Sequence, residues 1–567
     1  MKSYYDSLIS FLNRDRNKFL IFFALCVFLL IVKLPSLIAT DIQPWDEGMY
    51  ASRVLSIHTF GDFINQSEHS VGEFYSASHP PLLIWIGFLA TKIFGASALV
   101  FKLIPFLFAL GCLFLIINLS QKLFDLKTGI LAALIFSSTI IFNVFAKRFQ
   151  FDIPYTFFIL LSFYLVVLFI ESGKRKYIIY SGISFGLCLM TKILVGVFIP
   201  IVLFASWIVL QNKINLKLKD ILLLTAIGVL IALPWHYYMI SKYGSEFLQY
   251  FIGFHIMSRA FEGVEQNTKG SGYLYHVNYF FNILSFGILI FISMIKDLLS
   301  YKQLSWQKIF VWVWFITGLL IITLFKTKLE VYILFILTPG AVLLAHFILN
   351  YDFASRKINA FILFALIFNL VWFFTETNRT SLKQYFTSSD KLFILLIFFI
   401  SVILIGWICY FLSDKLNIKK YLLYYAVFFF FANNIYFMLN VPRWDNTYAI
   451  TPVYNKIFPD ANELNTNFKN LIYISNNYTA NPQFTFYFKG DDLGWDTHKY
   501  DYRLLDAKYG TEFIKNDLKD MNEKTYVIIQ RDGINRNDSV DSKAVIPENF
   551  KFILSSPGYE LYSNIND

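Results

Sequence analysis

The sequence predicts an α-helical polytopic membrane protein that ends in a small α/β domain. Three observations carry this. Of 567 residues, 56% are hydrophobic and only 16% charged, with mean hydropathy +0.53; soluble proteins carry about a quarter charged. Apolar runs long enough to cross a bilayer, about 20 residues each, recur from residue 19 to residue 440. Beyond 440 the chain turns polar and no run is long enough to span. These features exclude a soluble enzyme, a disordered chain and a disulfide scaffold. Cys26, Cys112, Cys188 and Cys409 all fall inside apolar runs, without metal-ligand spacing.

Residues 19–39 form the first run, longer than the apolar core of a signal peptide, and are expected to stay as an anchor. Further spans are expected near 97–121, 128–146, 151–170, 177–191, 193–210, 220–240, 274–295, 307–325, 331–350, 358–375, 392–412 and 420–440, about 13 in all. The run 81–94 is apolar but short. Lys and Arg decide its place. With the N-terminus inside and 81–94 lying at the outer face, the short inside loops hold Lys122 and Lys127, Lys174 to Lys176, Lys213 to Lys219, Lys296 to Lys308, Arg356 with Lys357, and Lys415 to Lys420. Each is basic, as the positive-inside rule requires. If 81–94 crossed, every later loop would change sides. The net charge of +10 then marks loops beside anionic lipid rather than nucleic acid.

Two domains follow: a transmembrane domain over 1–440, with site-forming loops at 40–96 and 241–273, and an extracytoplasmic α/β domain over 441–567. In the latter, Leu471–Ser475 and Tyr526–Gln530 read as buried strands. Phe550–Ser555 and Tyr559–Tyr562 read as a hairpin turned by Pro557-Gly558, and Asp460–Lys469 and Thr511–Met521 as helices.

Chemistry is sought among polar residues on the expected outer face. Asp46-Glu47 follows the first span between Trp45 and Tyr50, two aromatics that suit headgroup depth. An isolated Asp-Glu is ordinarily a solvated loop start, yet low dielectric disfavours two adjacent charged carboxylates without a cation. His79-Pro80-Pro81 opens the short helix 81–94; its histidine can bind phosphate or metal, or simply cap the helix. Lys147-Arg148 and Asp152 occupy the turn before the fourth span, where a structural Arg148–Asp152 pair competes with an anion or metal site. Lys192, Lys242, Arg259, Lys269, Lys326 and Lys328 add cations, and loop 241–273 adds Glu246, His255, Glu262 and Glu265. Carboxylates and cations on one side suit an anionic lipid-linked substrate: cations for a phosphate leaving group, a carboxylate as base. A transporter would place ionisable groups near mid-membrane, where His346 and Asn433-Asn434 are the few polar candidates.

In this order, Trp45-Asp46-Glu47, His79-Pro80-Pro81-Leu82, Arg148 with Asp152, Thr191-Lys192, Leu233-Pro234-Trp235, Phe254-His255 with Arg259, and Lys328-Leu329-Glu330-Val331-Tyr332 resemble motifs of the GT-C glycosyltransferases. The resemblance covers roughly 19–350. It points to the dolichyl-phosphate-mannose–protein mannosyltransferase-like group, and within it to the lipid A aminoarabinose transferases. It implies an inverting transferase whose donor is a sugar on an undecaprenyl-phosphate-like carrier. The acceptor would be lipid A, lipopolysaccharide or another envelope glycolipid; a protein O-mannosyltransferase is the alternative, and a polyprenyl-sugar flippase the alternative from another class. Asp46 would be the base, with Glu47 and Asp152 shaping the site or holding a cation. Arg148, Lys192, Arg259 and Lys328 would meet the lipid phosphate, and His79 and Tyr332 the substrate. His255 matches a histidine of the aminoarabinose transferases' metal site. Where those enzymes carry an acidic-basic pair before the double proline, this chain has Ser78-His79, the form seen in protein mannosyltransferases. The resemblance thus leaves a divalent metal open and calls for no nucleotide cofactor. It also implies a monomer in a bacterial inner membrane, with site and C-terminal domain on the periplasmic side.

Overall fold

The computed structural model describes residues 15–264, 275–276, 287–353, 355–377, 404–413, 416–459, 467–476, 481–488, 501–507, 510–531 and 540–564. Among them, seven helices are long and apolar enough to cross a membrane: Asn17–Ile38, Ala98–Leu123, Asp152–Ser172, Leu218–Glu262, Trp306–Leu324, Glu330–Asn350 and Ile418–Tyr448. Four shorter apolar helices, Leu82–Phe94, Leu126–Ser137, Lys176–Leu189 and Phe198–Leu210, pack among them. The protein is a multi-pass membrane protein with a small sheet domain. The expected spans 274–295 and 392–412, Glu265, Lys269 and most of helix 460–469 lie wholly or partly outside the described residues.

Local chemistry explains where expected elements change. The run 128–146 breaks into Leu126–Ser137 and Ile140–Phe145. The Ser137 and Ser138 hydroxyls bond back to carbonyls of their own turn, while Thr139 caps the next helix by accepting from the Phe142 amide. The stretch 241–273, expected as a loop, is helical as far as Glu262. Helix Leu218–Leu248 kinks at Gly244 (φ +50°) and continues as a π-helical segment, Gln249–Glu262. Its polar residues mark one end of a helix rather than its absence. Helix Ile418–Asp445 likewise runs five residues past the expected boundary at 440.

The C-terminal sheet has strands β1 (Asn470–Ser475), β2 (Asp501–Asp506), β3 (Thr525–Gln530), β4 (Lys551–Ser556) and β5 (Tyr559–Ser563), in the order β2-β1-β3-β5-β4. β1 is parallel to both β2 and β3, and β5 is antiparallel to β3 and β4. Both faces of the central strands are buried, which is why they read as unbroken apolar runs. Leu471, Tyr473, Tyr526 and Ile528 enter one cluster under helices Thr451–Ile457 and Gln483–Phe488. Ile472, Ile474, Val527 and Ile529 enter another beneath Ile514 and Leu518 of helix Thr511–Lys519.

Two contacts, among others, fasten this domain to the bundle. Asp41 accepts from the Ile450 and Thr451 amides (2.6 and 2.8 Å) and from the Thr451 hydroxyl, capping helix Thr451–Ile457 from outside. Helix Gln483–Phe488 lies against helix Asp46–Phe60, and the Ser52 hydroxyl donates to the Pro482 carbonyl at 3.3 Å.

Candidate active site

Asp46 opens helix Asp46–Phe60. The residue before it, Trp45, holds φ +61° and ψ −129°, a conformation costly for any side chain but glycine. That turn sets Asp46 at the helix N-terminus, facing a polar chamber of about 260 Å³. Five distant stretches of chain bring His79, Arg148 with Asp152, Lys192, His255 and Glu330 to the same chamber, with Tyr50 and Arg259. A second cavity, about 430 Å³ and mainly apolar, lies alongside, walled by Phe198, Phe251, Ile321, Phe325 and Phe335. The two share His79, Lys192, His255 and Arg259.

Each expected site residue has a defined place. Glu47, adjacent to Asp46 in sequence, does not line the chamber. It is fully buried, and its oxygens accept from the Gln43 and Phe149 amides, both at 2.9 Å. With both oxygens engaged, it straps two loops together. Asp152 opens helix Asp152–Ser172 and faces the Lys192 ammonium at 3.7 Å. The expected Arg148–Asp152 pair is replaced by another: Arg148 pairs with Asp445 at 3.2 Å, and Lys147 with the same carboxylate. Arg259 donates to the Tyr332 hydroxyl at 3.3 Å, placing Tyr332 in the apolar cavity's wall. Lys328 lines neither cavity. Its ammonium donates to the Ile322 and Thr323 carbonyls at 3.2 and 2.7 Å, capping the end of helix Trp306–Leu324.

The His79 and His255 rings lie 4.2 Å apart. His255 donates through Nε2 to the Tyr75 carbonyl at 2.9 Å, which leaves Nδ1 as an acceptor. Among the described residues no three His, Cys, Asp or Glu side chains gather closely enough to hold a metal ion. No step is routed through a metal at His255.

The charges are arranged unequally. Burial raises the Asp46 pKa above the ordinary carboxylate value, with Lys192, Arg259 and Arg148 opposing the rise and Asp152 adding to it. Burial also lowers His79 well below the ordinary imidazole value, aided by His255, Lys192 and Arg259. The chamber thus holds a neutral imidazole and a carboxylate poised to take a proton.

Known structures share this architecture. ArnT from Cupriavidus metallidurans, bound to undecaprenyl phosphate, superposes with a TM-score of 0.68 at 13% identity, over 97% of this chain and 99% of that one. Its apo form gives 0.64 at 14% identity, over 96% and 97%. The chain has a GT-C fold. Within it, residues 78–238 match the family described as dolichyl-phosphate-mannose-protein mannosyltransferase, a stretch holding His79, Arg148, Asp152 and Lys192. An uncharacterized protein of Aquifex aeolicus (strain VF5) is 28% identical over 326 residues, 57% of this chain and 73% of that one.

In this GT-C fold, three residues close to the chamber escape a reading of the sequence. Tyr50, which suits a headgroup anchor, lines the chamber instead. Tyr75 lines it from a segment without a motif. Asp445 lies 297 residues from the arginine it holds, and nothing along the chain signals that pairing.

Proposed function

We propose that the protein is a polyprenyl-phosphate-dependent glycosyltransferase acting on an envelope acceptor. One observation carries the reading: a polar and an apolar cavity share Lys192 and Arg259 on their common wall. A prenyl chain suits the apolar side, its phosphate the two cations, and its sugar the chamber beside Asp46. Polyprenyl phosphate is the bound ligand in the ArnT structure, and that likeness of fold supports the same class of donor here.

The acceptor hydroxyl attacks the anomeric carbon from the face opposite the phosphate, and Asp46 takes its proton. The bond between that carbon and the phosphate oxygen breaks, and its electron pair stays on the phosphate. Lys192 and Arg259 meet the charge that grows there, worth a few kcal/mol in a water-poor site. Inversion follows from the direction of attack. General-base help adds about 10²–10⁴-fold. Where the acceptor nucleophile is a phosphate oxygen, no proton is removed and Asp46 orients the acceptor.

A glycolipid such as lipid A is the acceptor we favour, in a bacterial inner membrane with the site on the periplasmic side. The match of residues 78–238 to protein mannosyltransferases supports a protein acceptor as the second reading. The test incubates purified protein with labelled polyprenyl-phosphate sugars and either envelope glycolipids or envelope proteins. A new glycosidic bond with wild type and none with Asp46→Asn supports the proposal. Lipid translocation without any new bond overturns it in favour of a flippase.

A further inference from the structure

We propose that Asp445 is a positioning residue that aims Arg148 into the polar chamber. It is the last residue of helix Ile418–Asp445, where the bundle hands over to the sheet domain. Its side chain is 2% exposed and meets two cations, Arg148 at 3.2 Å and Lys147. Arg148 lines the polar chamber but not the apolar cavity, so its charge serves the end of the site away from the prenyl chain. The guanidinium stands 5.7 Å over the Phe145 ring, and its buried Nε has no hydrogen-bond partner among the described residues. Phe145 and Asp445 therefore bracket the group at the chamber wall.

Charge and access say what happens without the carboxylate. Lys147 is 1% exposed and Arg148 28% exposed. Two neighbouring cations that have lost the carboxylate between them repel. The buried lysine has no way out, whereas the arginine, which stays charged, is open to water. Arg148 then turns out of the chamber.

The proposal rests on the transferase reading for its activity readout, so it is tested in two arms. In the first, the structure of full-length Asp445→Asn is determined by electron cryo-microscopy. Arg148 is expected to be withdrawn from the chamber; Arg148 unmoved overturns the proposal. In the second, transfer rates are compared for wild type, Asp445→Asn, Arg148→Gln and the double variant. Each single variant is expected to lose about 10–100-fold in kcat/KM, the scale of a misplaced contact group. The double variant is expected to lose no more than Arg148→Gln, and Asp445→Glu to recover part of the rate. Losses that multiply would make Asp445 a structural staple and overturn the proposal. Where Asp445→Asn does not fold, Asp445→Glu takes its place in the same cycle. If wild type forms no glycosidic bond, the functional reading fails, and the first arm still decides the role of Asp445.

Discussion

Gly48 is the position where a single carbon should separate seating from chemistry. It lies two residues after Asp46, on the face of helix Asp46–Phe60 that meets the sheet domain. A Cβ added there would stand 2.6 Å from the backbone nitrogen of Gln483 and 3.0 Å from Pro482 Cγ, where ordinary contact begins at 3.4 Å. The shortfall is about 0.8 Å against main chain, which no rotamer change relieves, so the helix must shift from its seat. Overpacking of this kind costs about 1–3 kcal/mol, while alanine regains roughly 0.5–1 kcal/mol in a helix interior. Gly48→Ala should therefore lower stability by up to about 2.5 kcal/mol. The larger effect falls on rate, because moving a reacting group by ~1 Å costs about 10²-fold. Melting in detergent and initial transfer rates measure the two. Unchanged Tm together with unchanged rate would refute the close-packing argument. A lower Tm at full rate would refute the link from that seat to Asp46.

Asp46→Asn should cut transfer to a hydroxyl acceptor by about 10²–10⁴-fold while Tm at pH 7 holds or rises, since burial disfavours the ionised carboxylate that asparagine replaces. In wild type the same raised pKa should place the acid limb of the rate profile above the ordinary Asp value of about 3.9, with rate falling as pH drops through it. An unchanged profile between pH 4 and 8 in a variant lacking that carboxylate would count against Asp46 as the base. Lys192→Met should lose about 10²–10³-fold in kcat/KM, the scale for one electrostatic donor, whereas Lys328→Met should leave donor affinity unchanged, measured by titrating polyprenyl phosphate. Asp41→Ala removes the acceptor of two backbone amides and should cost about 2–4 kcal/mol, seen as earlier proteolysis of the sheet domain.

The fold was legible because its cause is local. A bilayer demands long apolar runs, and a sheet buried on both faces demands short ones; each leaves its period in the sequence. Strand β2 escaped because it carries Asp501, Arg503 and Asp506 at the sheet's edge. Helix Gln483–Phe488 escaped because six residues of QFTFYF show no helical stripe. The candidate site was legible only as a set of residue types. Sequence sees Asp46 and Glu47 as equals, and only three dimensions show one carboxylate facing a chamber and the other tied to the Gln43 and Phe149 amides. Lys328 looked like a phosphate ligand until a helix end, formed by residues just before it, supplied its partners. Arg148 carried the right charge, but its partner depended on where the last helix ended.

The seat under Gly48 also sets an order of events. Ser52 and Pro482, in contact in the finished protein, are 430 residues apart in the chain. At 5–20 residues per second, the ribosome needs ~20–90 s to deliver the second after the first. For that interval the nascent helix of Asp46 has no seat, and Arg148 waits a shorter time, 297 residues, for its anchor. The parts of the chamber wall set by the sheet domain and by Asp445 are thus completed only late in synthesis.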